Sequence, residues 1–481
     1  MPSSVHDKAE AMREALARAS SPLSSCQQRV WRLAEASPDL GFFERIGLRF
    51  SGPFRIAALD AALAEIVRRH AILRTVFLVL DGRPVQCVRS AARGGLLVVD
   101  LQALRPELRE HAATQLTRRD RQPPFDLRRG PLMRAIVVRL SSRDHVLLMI
   151  FHHLIFDGWS RSVLFRELAM LFMAFSANVR LPLPELRVQY AEVAWLEQDS
   201  GTLPRRAARL AEWVERLAGL QPPATLPPDR PRTSRATHRA EIVPFQVPEA
   251  SIRALWSVAK SEGVTLFMLG LTALAIALRA SAVQQDEVTF GVPVANRTST
   301  DAQALIGPFV NILPVRLRTP ANSTVRDLLL DARTVMLDAF VYQEVPFDEV
   351  LEAMYPGRPK GSYGPTDGDP VFRVCVDFSE HADGPLETQA QARSGLTVQP
   401  FETDDPIAGC DMFVSFSAAS GRLGGIVLYN AELYERATVA SFIDRFQSVL
   451  GSMDRSLHAQ LTALMPEARC LMPETALIPE A

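Results

Sequence analysis

Cysteine and lysine are both scarce in this sequence of 481 residues. The five cysteines are widely separated, and no two of them form a Cys-x-x-Cys pair. This spacing argues against a zinc site and against a disulfide framework. Lysine supplies three of the 53 basic residues, a bias that we attribute to genomic base composition rather than to function.

The sequence also lacks an excess of charge and a long apolar run. Its formal net charge is −1, which argues against a nucleic-acid partner and against an anionic membrane surface. The longest apolar run, residues 265–278, is short for a membrane span and is typical of a buried helix. Residues 1–20 form a charged helical pattern without the apolar centre of a signal peptide. We therefore expect a cytoplasmic protein without a membrane or nucleic-acid partner.

Strand and helix patterns alternate through both halves of the chain. Residues 73–89 contain an Asp-Gly pair between two apolar segments, which predicts a hairpin. The length favours two lobes over one core, so we predict an α/β protein with two lobes. Hydrophobic spacing predicts helices over residues 58–71, 160–175, 249–261, 265–280 and 435–453, and strands over residues 45–52, 240–247 and 287–297.

A stretch rich in proline and arginine, residues 220–240, separates the two halves and predicts an extended connector. A second loop is predicted over residues 357–370. We divide the chain into an N-terminal helix that serves as a docking element (1–20), an N-terminal lobe (21–185), a connecting helix with the linker (186–240), a C-terminal lobe (241–465) and a tail (466–481).

The stretch "FHHLIFDGWS", residues 151–160, is the strongest candidate for a functional site. It ends an apolar strand, and successive side chains of a strand point to opposite faces. One of His152 and His153 is therefore expected to be buried while the other projects beyond the sheet. Asp157 and Gly158 mark a turn in which the carboxylate pairs with an arginine and the glycine lets a ligand approach the backbone. Histidine suits proton transfer near neutral pH, although a satisfied core histidine is the simpler interpretation.

A metal site is the alternative use of clustered histidines. Adjacent histidines on opposite strand faces, with one distant aspartate, make a poor set of ligands. We therefore predict no metal at this stretch.

Several blocks resemble, in order, the motifs of condensation domains from nonribosomal peptide synthetases, which are relatives of chloramphenicol acetyltransferase. The stretch "HHLIFDG" matches the His-His-x-x-x-Asp-Gly motif, and "RHAILRTVF" (69–77) matches an Arg-His-x-x-Leu-Arg-Thr-x-Phe block. The resemblance covers roughly residues 20–465. Further similar blocks are "LSSCQQRVWRL" (23–33), "FGVPVANR" (290–297), "IGPFVNILPVR" (306–316) and "YQEVPFDEVLE" (342–352).

The sequence departs from the family pattern at three places. Cys26 stands where the first motif usually has alanine. The stretch "YAEVAWLEQ" (190–198) only approximates a Tyr-x-Asp-Phe-Ala-x-Trp block. The Arg-Asn-Pro usually found before residues 370–378 is missing, which puts the contacts of that loop in doubt but not the fold.

The resemblance implies two acetyltransferase-like lobes in a V-shaped pseudo-dimer, with a central channel and bridging segments from the C-terminal lobe. A donor acyl group on the phosphopantetheine arm of a carrier protein enters the channel from one side, and the acceptor enters from the other. The enzyme itself holds no cofactor. Because two lobes already supply the interface, we expect a monomer.

The resemblance also implies roles for individual residues. His153 lies in the middle of the channel as a catalytic residue, and His152 supports the strand. Asp157 braces the loop, and we expect Arg297 to be its partner rather than an arginine on a solvated loop. Gly158 offers a backbone donor near the developing oxyanion.

Asn311, in "GPFVN", lies in a motif near the channel, or is a turn residue bonded to its own backbone.

The implied reaction is acyl or peptidyl transfer to an amine or to an alcohol. An amine acceptor is partly neutral at cellular pH, whereas an alcohol needs a base to take its proton. The "DGWS" stretch and the first motif look like the subtype that joins an L-configured donor to an L-configured acceptor. Cyclising relatives carry aspartate where this chain has His152, which argues against cyclisation.

The sequence has no adenylation signature and no carrier motif, so we expect a free-standing enzyme that acts in trans, with chain release as one use. The first alternative is an acyltransferase that uses acyl-coenzyme A. The second is a catalytically silent scaffold that recruits a partner enzyme to carrier-bound peptides. The intact histidine motif argues against the scaffold.

Overall fold

The computed structural model describes residues 20–36, 42–90, 95–119, 125–179, 183–199, 203–232, 239–281, 285–357, 370–379, 395–401, 403, 409–419 and 422–464. The predicted tail lies outside the described residues, as does the predicted N-terminal helix apart from residue 20. Most of the predicted loop at 357–370 also lies outside them.

Helices and strands alternate along the described chain, as predicted. The strands are β1 (Ser20–Pro22), β2 (Phe43–Ser51), β3 (Thr75–Leu80), β4 (Arg83–Val88), β5 (Leu97–Asp100), β6 (Met133–Ser141), β7 (Asp144–His152), β8 (Ala240–Gln246), β9 (Glu287–Val294), β10 (Asn311–Arg318), β11 (Val374–Ser379), β12 (Thr397–Pro400), β13 (Met412–Ala419) and β14 (Arg422–Asn430). The α-helices are α1 (Ser25–Ala36), α2 (Ile56–Arg69), α3 (Pro106–Arg119), α4 (Gly158–Ser176), α5 (Tyr190–Leu196), α6 (Leu203–Arg216), α7 (Glu249–Glu262), α8 (Leu266–Ser281), α9 (Thr300–Gln303), α10 (Val325–Val341), α11 (Phe347–Met354) and α12 (Arg436–Ser456).

Two large sheets organise the two halves. The five-stranded sheet has the order β12-β2-β7-β6-β5, and the six-stranded sheet has the order β10-β9-β11-β13-β14-β8. A smaller sheet, β1-β4-β3, contains the predicted hairpin, and its Asp81 and Gly82 turn residues have φ values of 49° and 76°. The predicted α/β class is confirmed, whereas the predicted domain boundaries stay a prediction.

Strand β7 lies at the centre of the first sheet and positions the histidines. It pairs with β2 on one side and β6 on the other, and eight of its nine residues are buried. Its near-continuous apolar sequence suits a strand that is covered on both faces. The helix that follows, α4, packs against α2 in the same core. The last residue of the strand, His152, is thereby fixed at the edge of this core.

Two segments from the second half of the chain pack on the first half. Strand β12 pairs antiparallel with β2, and residues 302–309 contribute four side chains to the core around β7. Gly47 permits the first crossing, because a Cβ there would lie 2.3 Å from the carbonyl oxygen of Phe401. With glycine at this position, the two backbones approach closely enough for the Phe401 amide to donate to the Gly47 carbonyl at 3.0 Å.

The second half has its own core, centred on α8. This helix buries 12 of its 16 residues and packs against α10 and α12. Among the described residues, no helix is by itself both long and apolar enough for a membrane crossing. The α7–α8 pair, bent by 104°, meets that test only jointly and only by length and composition.

Candidate active site

A short turn between β7 and α4 carries the predicted site residues. The amide of His153 donates to the Phe42 carbonyl at 2.8 Å, and the amide of Ile155 donates to the His152 carbonyl at 2.9 Å. Asp157 then caps the N-terminus of α4. The turn is thus held by backbone bonds at its start and by a helix cap at its end.

His153 has one ring nitrogen engaged with this turn. Its Nδ1 lies 3.3 Å from the carbonyl oxygen of Phe156. A carbonyl only accepts hydrogen bonds, so the neutral ring carries its proton on Nδ1 and leaves the lone pair on Nε2. The side chain is partly buried, in contrast to its neighbour His152, as expected for adjacent positions at a strand end. In this geometry, the basic Nε2 atom of His153 faces away from the turn.

His152 is a buried structural residue. Its Nδ1 accepts a hydrogen bond from the Leu154 amide at 3.0 Å, and its ring packs edge-on against Phe125. Burial, and secondarily the charge of His153, lowers the pKa of His152 to about 3. The imidazole is therefore neutral near pH 7, and it supports the turn without transferring protons.

The Asp157 carboxylate is fully occupied by donors. Oδ1 accepts from the Ser160 amide at 2.8 Å and from the Ser160 hydroxyl at 2.6 Å, while Oδ2 accepts from the Phe309 amide at 3.0 Å. The Nη2 atom of Arg297 lies 3.0 Å from Oδ1 and 3.2 Å from Oδ2. Asp157 thus joins the turn to the second half of the chain, and both of its oxygens are engaged within the protein.

Arg297 is buried, so the alternative of a solvated loop arginine is wrong. Its guanidinium stacks on the Phe309 ring at 4.2 Å. Nη1 donates to the Ala302 and Leu305 carbonyls, each at 2.6 Å, and Nη2 donates to the Gly307 carbonyl at 2.8 Å. Burial lowers the pKa of Arg297, against the raising effect of Asp157. The arginine shapes residues 302–309 around the carboxylate that it neutralises.

Ser160 belongs to this network and was not predicted from the sequence. Besides its bond to Asp157, its hydroxyl accepts from the Gly307 amide at 3.0 Å. The local sequence indicates only the bond of its amide, because an aspartate N-cap accepts from a backbone N–H two or three residues later; the bonds of its hydroxyl had no local signal. Gly307 has a φ of +153°, and a Cβ there would lie 2.2 Å from the Tyr190 ring.

A second buried network, also not predicted, lies behind the turn. Glu167 of α4 accepts from Arg69 Nε at 3.0 Å and bonds His70 Nε2 at 3.0 Å. The other ring nitrogen of His70 accepts from the Ile306 amide at 3.3 Å. The Arg-His block therefore links α2 and α4 to the same segment that Arg297 shapes.

Gly158 begins α4 and faces open space, since a Cβ there would meet nothing within 4 Å. The first amides of a helix have no intrahelical acceptor and carry its positive dipole end. The glycine therefore leaves room beside a set of backbone donors.

Asn311 lies apart from the His153 turn. Its Nδ2 donates to the Gln343 carbonyl at 2.9 Å and to the Val345 carbonyl at 2.6 Å, and its Oδ1 accepts from the Phe347 amide at 3.0 Å. Asn311 thus ties β10 to the segment before α11 rather than bonding its own backbone.

Two large cavities border this region, and His153 lines neither of them. The first, which we call the Cys26 cavity, has a volume of about 660 Å³ and is lined by Cys26, Glu197, Phe309, Asn311 and Phe347, among others. The second, which we call the Trp256 cavity, has a volume of about 1070 Å³ and is lined by Trp159, Trp256, Arg297 and Phe340, among others. Within the described part of the chain, no group of acidic, histidine and cysteine side chains is arranged to hold a metal.

Comparison with known proteins identifies a family. The family model for the condensation domain matches residues 17–467. The chain is 31% identical over 433 residues to a linear gramicidin synthase of Brevibacillus parabrevis, covering 89% of this chain and 5% of that protein. It is 33% identical over 449 residues to a phosphinothricin tripeptide synthetase, PhsB, of Streptomyces viridochromogenes, covering 91% of this chain and 36% of that protein. The chain therefore spans a minor part of the length of these relatives.

A solved structure agrees with this result. The X-domain from teicoplanin biosynthesis, in its complex with OxyB, is 25% identical to this chain with a TM-score of 0.79, covering 92% of this chain and 95% of that one. The predicted resemblance is thus confirmed by sequence and by fold. The chain belongs to the condensation-domain family of nonribosomal peptide synthetases.

Proposed function

We propose that this chain is a condensation enzyme that transfers an acyl or peptidyl group from the phosphopantetheine thioester of a carrier protein to an amine or alcohol acceptor. The observation that carries the proposal is the orientation of His153. Its Nδ1 is engaged by the Phe156 carbonyl, so its Nε2 is the lone pair available to a substrate. A neutral imidazole with a free Nε2 is the form required of a general base.

The reaction joins the acceptor nitrogen or oxygen to the thioester carbonyl carbon. Nε2 of His153 takes the proton of the acceptor as the new bond forms, and the carbonyl oxygen becomes an oxyanion. The C–S bond then breaks, and the imidazolium returns its proton to the departing thiolate. The dipole at the N-terminus of α4 and the backbone amide of Gly158 stabilise negative charge at the oxyanion.

Asp157 and Arg297 act as positioning residues in this proposal. The carboxylate is neutralised by the guanidinium and saturated by amide and hydroxyl donors, so it is unsuited to proton transfer. His152 is neutral and buried, and it holds the strand end. Asn311 holds the segment before α11, which lines the Cys26 cavity.

The experiment loads acyl chains onto a separate carrier protein and adds amine and alcohol acceptors, with acyl-coenzyme A as a parallel donor. Intact-mass spectrometry measures transfer by the wild type and by His153→Ala, with exposed His111→Ala as the matched control. We expect transfer from the carrier, retained in His111→Ala and lost in His153→Ala. Because donor and enzyme are separate chains, this outcome also establishes action in trans. Faster transfer from acyl-coenzyme A would overturn the carrier as donor.

A second candidate function is recruitment of a partner enzyme. The similarity to the X-domain of teicoplanin biosynthesis, which was solved in complex with OxyB, favours it. Two observations favour catalysis instead. Asp157 and Arg297 form an intact ion pair, and Nε2 of His153 is free to act as a base. Carrier binding without transfer from any donor would support recruitment and overturn the condensation activity.

A further inference from the structure

The Cys26 cavity adjoins the His153 turn through two of its walls. Phe309 lines the cavity, and its amide donates to Asp157. Cys26 also lines the cavity, and the side chain of the next residue, Gln27, donates to the Leu154 carbonyl at 3.1 Å. A molecule in this cavity therefore contacts Phe309, which bonds the His153 turn directly, and Cys26, which is next to a residue that does.

The charges that line this cavity are mostly paired. The cavity presents four arginines and four carboxylates. Among the described residues, Glu197, Asp301 and Arg205 make no ion pair, and Arg205 is exposed to solvent. The remaining lining arginines pair as Arg29 with Asp348 at 2.8 Å, Arg209 with Glu344 at 3.1 Å and Arg206 with Glu349 at 3.0 Å.

Glu197 is a partly buried carboxylate of the cavity lining that makes no ion pair among the described residues. It lies at the end of α5, and its Oε2 accepts a hydrogen bond from the Ser25 amide at 2.7 Å. Arg206 donates to the backbone carbonyl of Glu197 rather than to its carboxylate. Burial raises the pKa of Glu197, although the hydrogen bonds from Ser25 and the nearby charge of Arg206 lower it, so the charge is only partly compensated. A partly buried carboxylate without an ion-pair partner, at the wall of a cavity, is stabilised by a cationic ligand.

The rest of the lining describes the body of that ligand. Leu196, Val193, Val310 and Val345 supply an apolar wall, and a volume of about 660 Å³ suits a small molecule rather than a peptide segment. The ligand is therefore short and amphipathic, with one cationic end.

We propose that the Cys26 cavity binds the acceptor and that Glu197 selects an acceptor with an ammonium group in addition to its nucleophile. This inference rests on the proposed function, because it assigns the cavity to the acceptor of that reaction. Glu197 holds the ammonium while the apolar wall covers the chain of the acceptor. The second functional group is then directed towards the turn that carries His153.

The experiment measures binding by calorimetry without any donor. The probes are 1,5-diaminopentane and 1,5-pentanediol, which have the same length and differ in charge. We expect the wild type to bind the diamine more tightly than the diol. Glu197→Gln keeps the acceptor for the Ser25 amide and removes the charge, so it is expected to weaken diamine binding about 10-fold to 100-fold and diol binding less than twofold.

Glu215→Gln, an exposed position on α6 outside the cavity, is the matched control and is expected to bind both probes like the wild type. Equal diamine affinity in Glu197→Gln and wild type would overturn the inference, as would absence of diamine binding by the wild type. In the transfer assay, Glu197→Gln should raise the KM for the diamine while kcat changes little. Selective diamine binding without transfer would count against the proposed function, while the cation-binding site at Glu197 would still be supported.

Discussion

Arg297 and Asp157 are 140 residues apart in the sequence and form a buried ion pair, with the Arg297 Nη2 atom 3.0 Å from Asp157 Oδ1. Each side chain is at most 5% exposed. A pair so withdrawn from water is costly to break, because removal of one partner leaves an uncompensated charge in the core. The pair also joins the turn of His153 to residues 302–309, so its integrity and that of the candidate site are coupled.

Arg297→Met is expected to lower the free energy of unfolding by about 3–5 kcal/mol, since Asp157 would remain buried without its cation. Urea denaturation followed by tryptophan fluorescence measures this change. The control is Arg68→Met, which removes an exposed ion pair with Glu65 and is expected to cost about 0–1 kcal/mol. Similar losses for the two variants would show that the buried pair contributes no more than a surface one.

Gly307→Ala is expected to destabilise the protein by roughly 2–6 kcal/mol, through an unfavourable φ and overpacking against Tyr190. It should also reduce acyl transfer, because Ser160 and Arg297 both bond the backbone of Gly307. The control is Gly82→Ala, whose φ is also positive but whose Cβ would meet nothing, with an expected cost of about 1–2 kcal/mol. Unfolding curves and the transfer assay test both effects; equal costs would mean that the Tyr190 contact adjusts freely.

The sequence predicted the local part of the candidate site and missed most of its long-range part. His152, His153 and Asp157 lie within six residues of a strand end, where periodicity is informative. The placement of Arg297 came from the family resemblance, because nothing local indicates a partner so far along the chain. Glu167 and His70, 97 residues apart, gave no such signal, since buried polar pairs leave no periodic pattern.

The fold shows the same division between local and distant features. The Asp81–Gly82 hairpin followed from turn chemistry, and α8 followed from its apolar run. Strand β12 was not predicted, because its four residues "TVQP" carry too little apolar pattern to identify a strand. Its position beside β2 depends on the close approach that Gly47 permits, a contact between residues about 350 apart in the sequence.

His152 is expected to make the protein sensitive to acid. Its pKa of about 3 in the folded state lies below its ordinary value of 6.5, so the unfolded chain binds the proton first. The contribution of His152 is complete above pH 6.5 and is lost as the pH falls towards 3, by up to about 1.4 kcal/mol per pH unit.

Urea denaturation at several pH values between 4 and 7 measures this loss. His152→Asn keeps an acceptor for the Leu154 amide and does not titrate, so its stability should fall less steeply with pH than that of the wild type. Parallel slopes for the two proteins would assign the acid sensitivity to other groups.

His153→Ala is expected to distinguish amine from alcohol acceptors. An alcohol needs a base during attack, so loss of Nε2 should slow its acylation by about 10²–10⁴-fold. An amine is already partly neutral at pH 8, and its acylation should slow less. Single-turnover transfer from an acyl-loaded carrier, quenched and read by intact mass, gives both rates, with His111→Ala as the control for loss of a histidine. Equal slowing for the two acceptors would mean that His153 acts on a step they share, such as protonation of the departing thiolate. Unchanged rates for both would remove His153 from the chemistry.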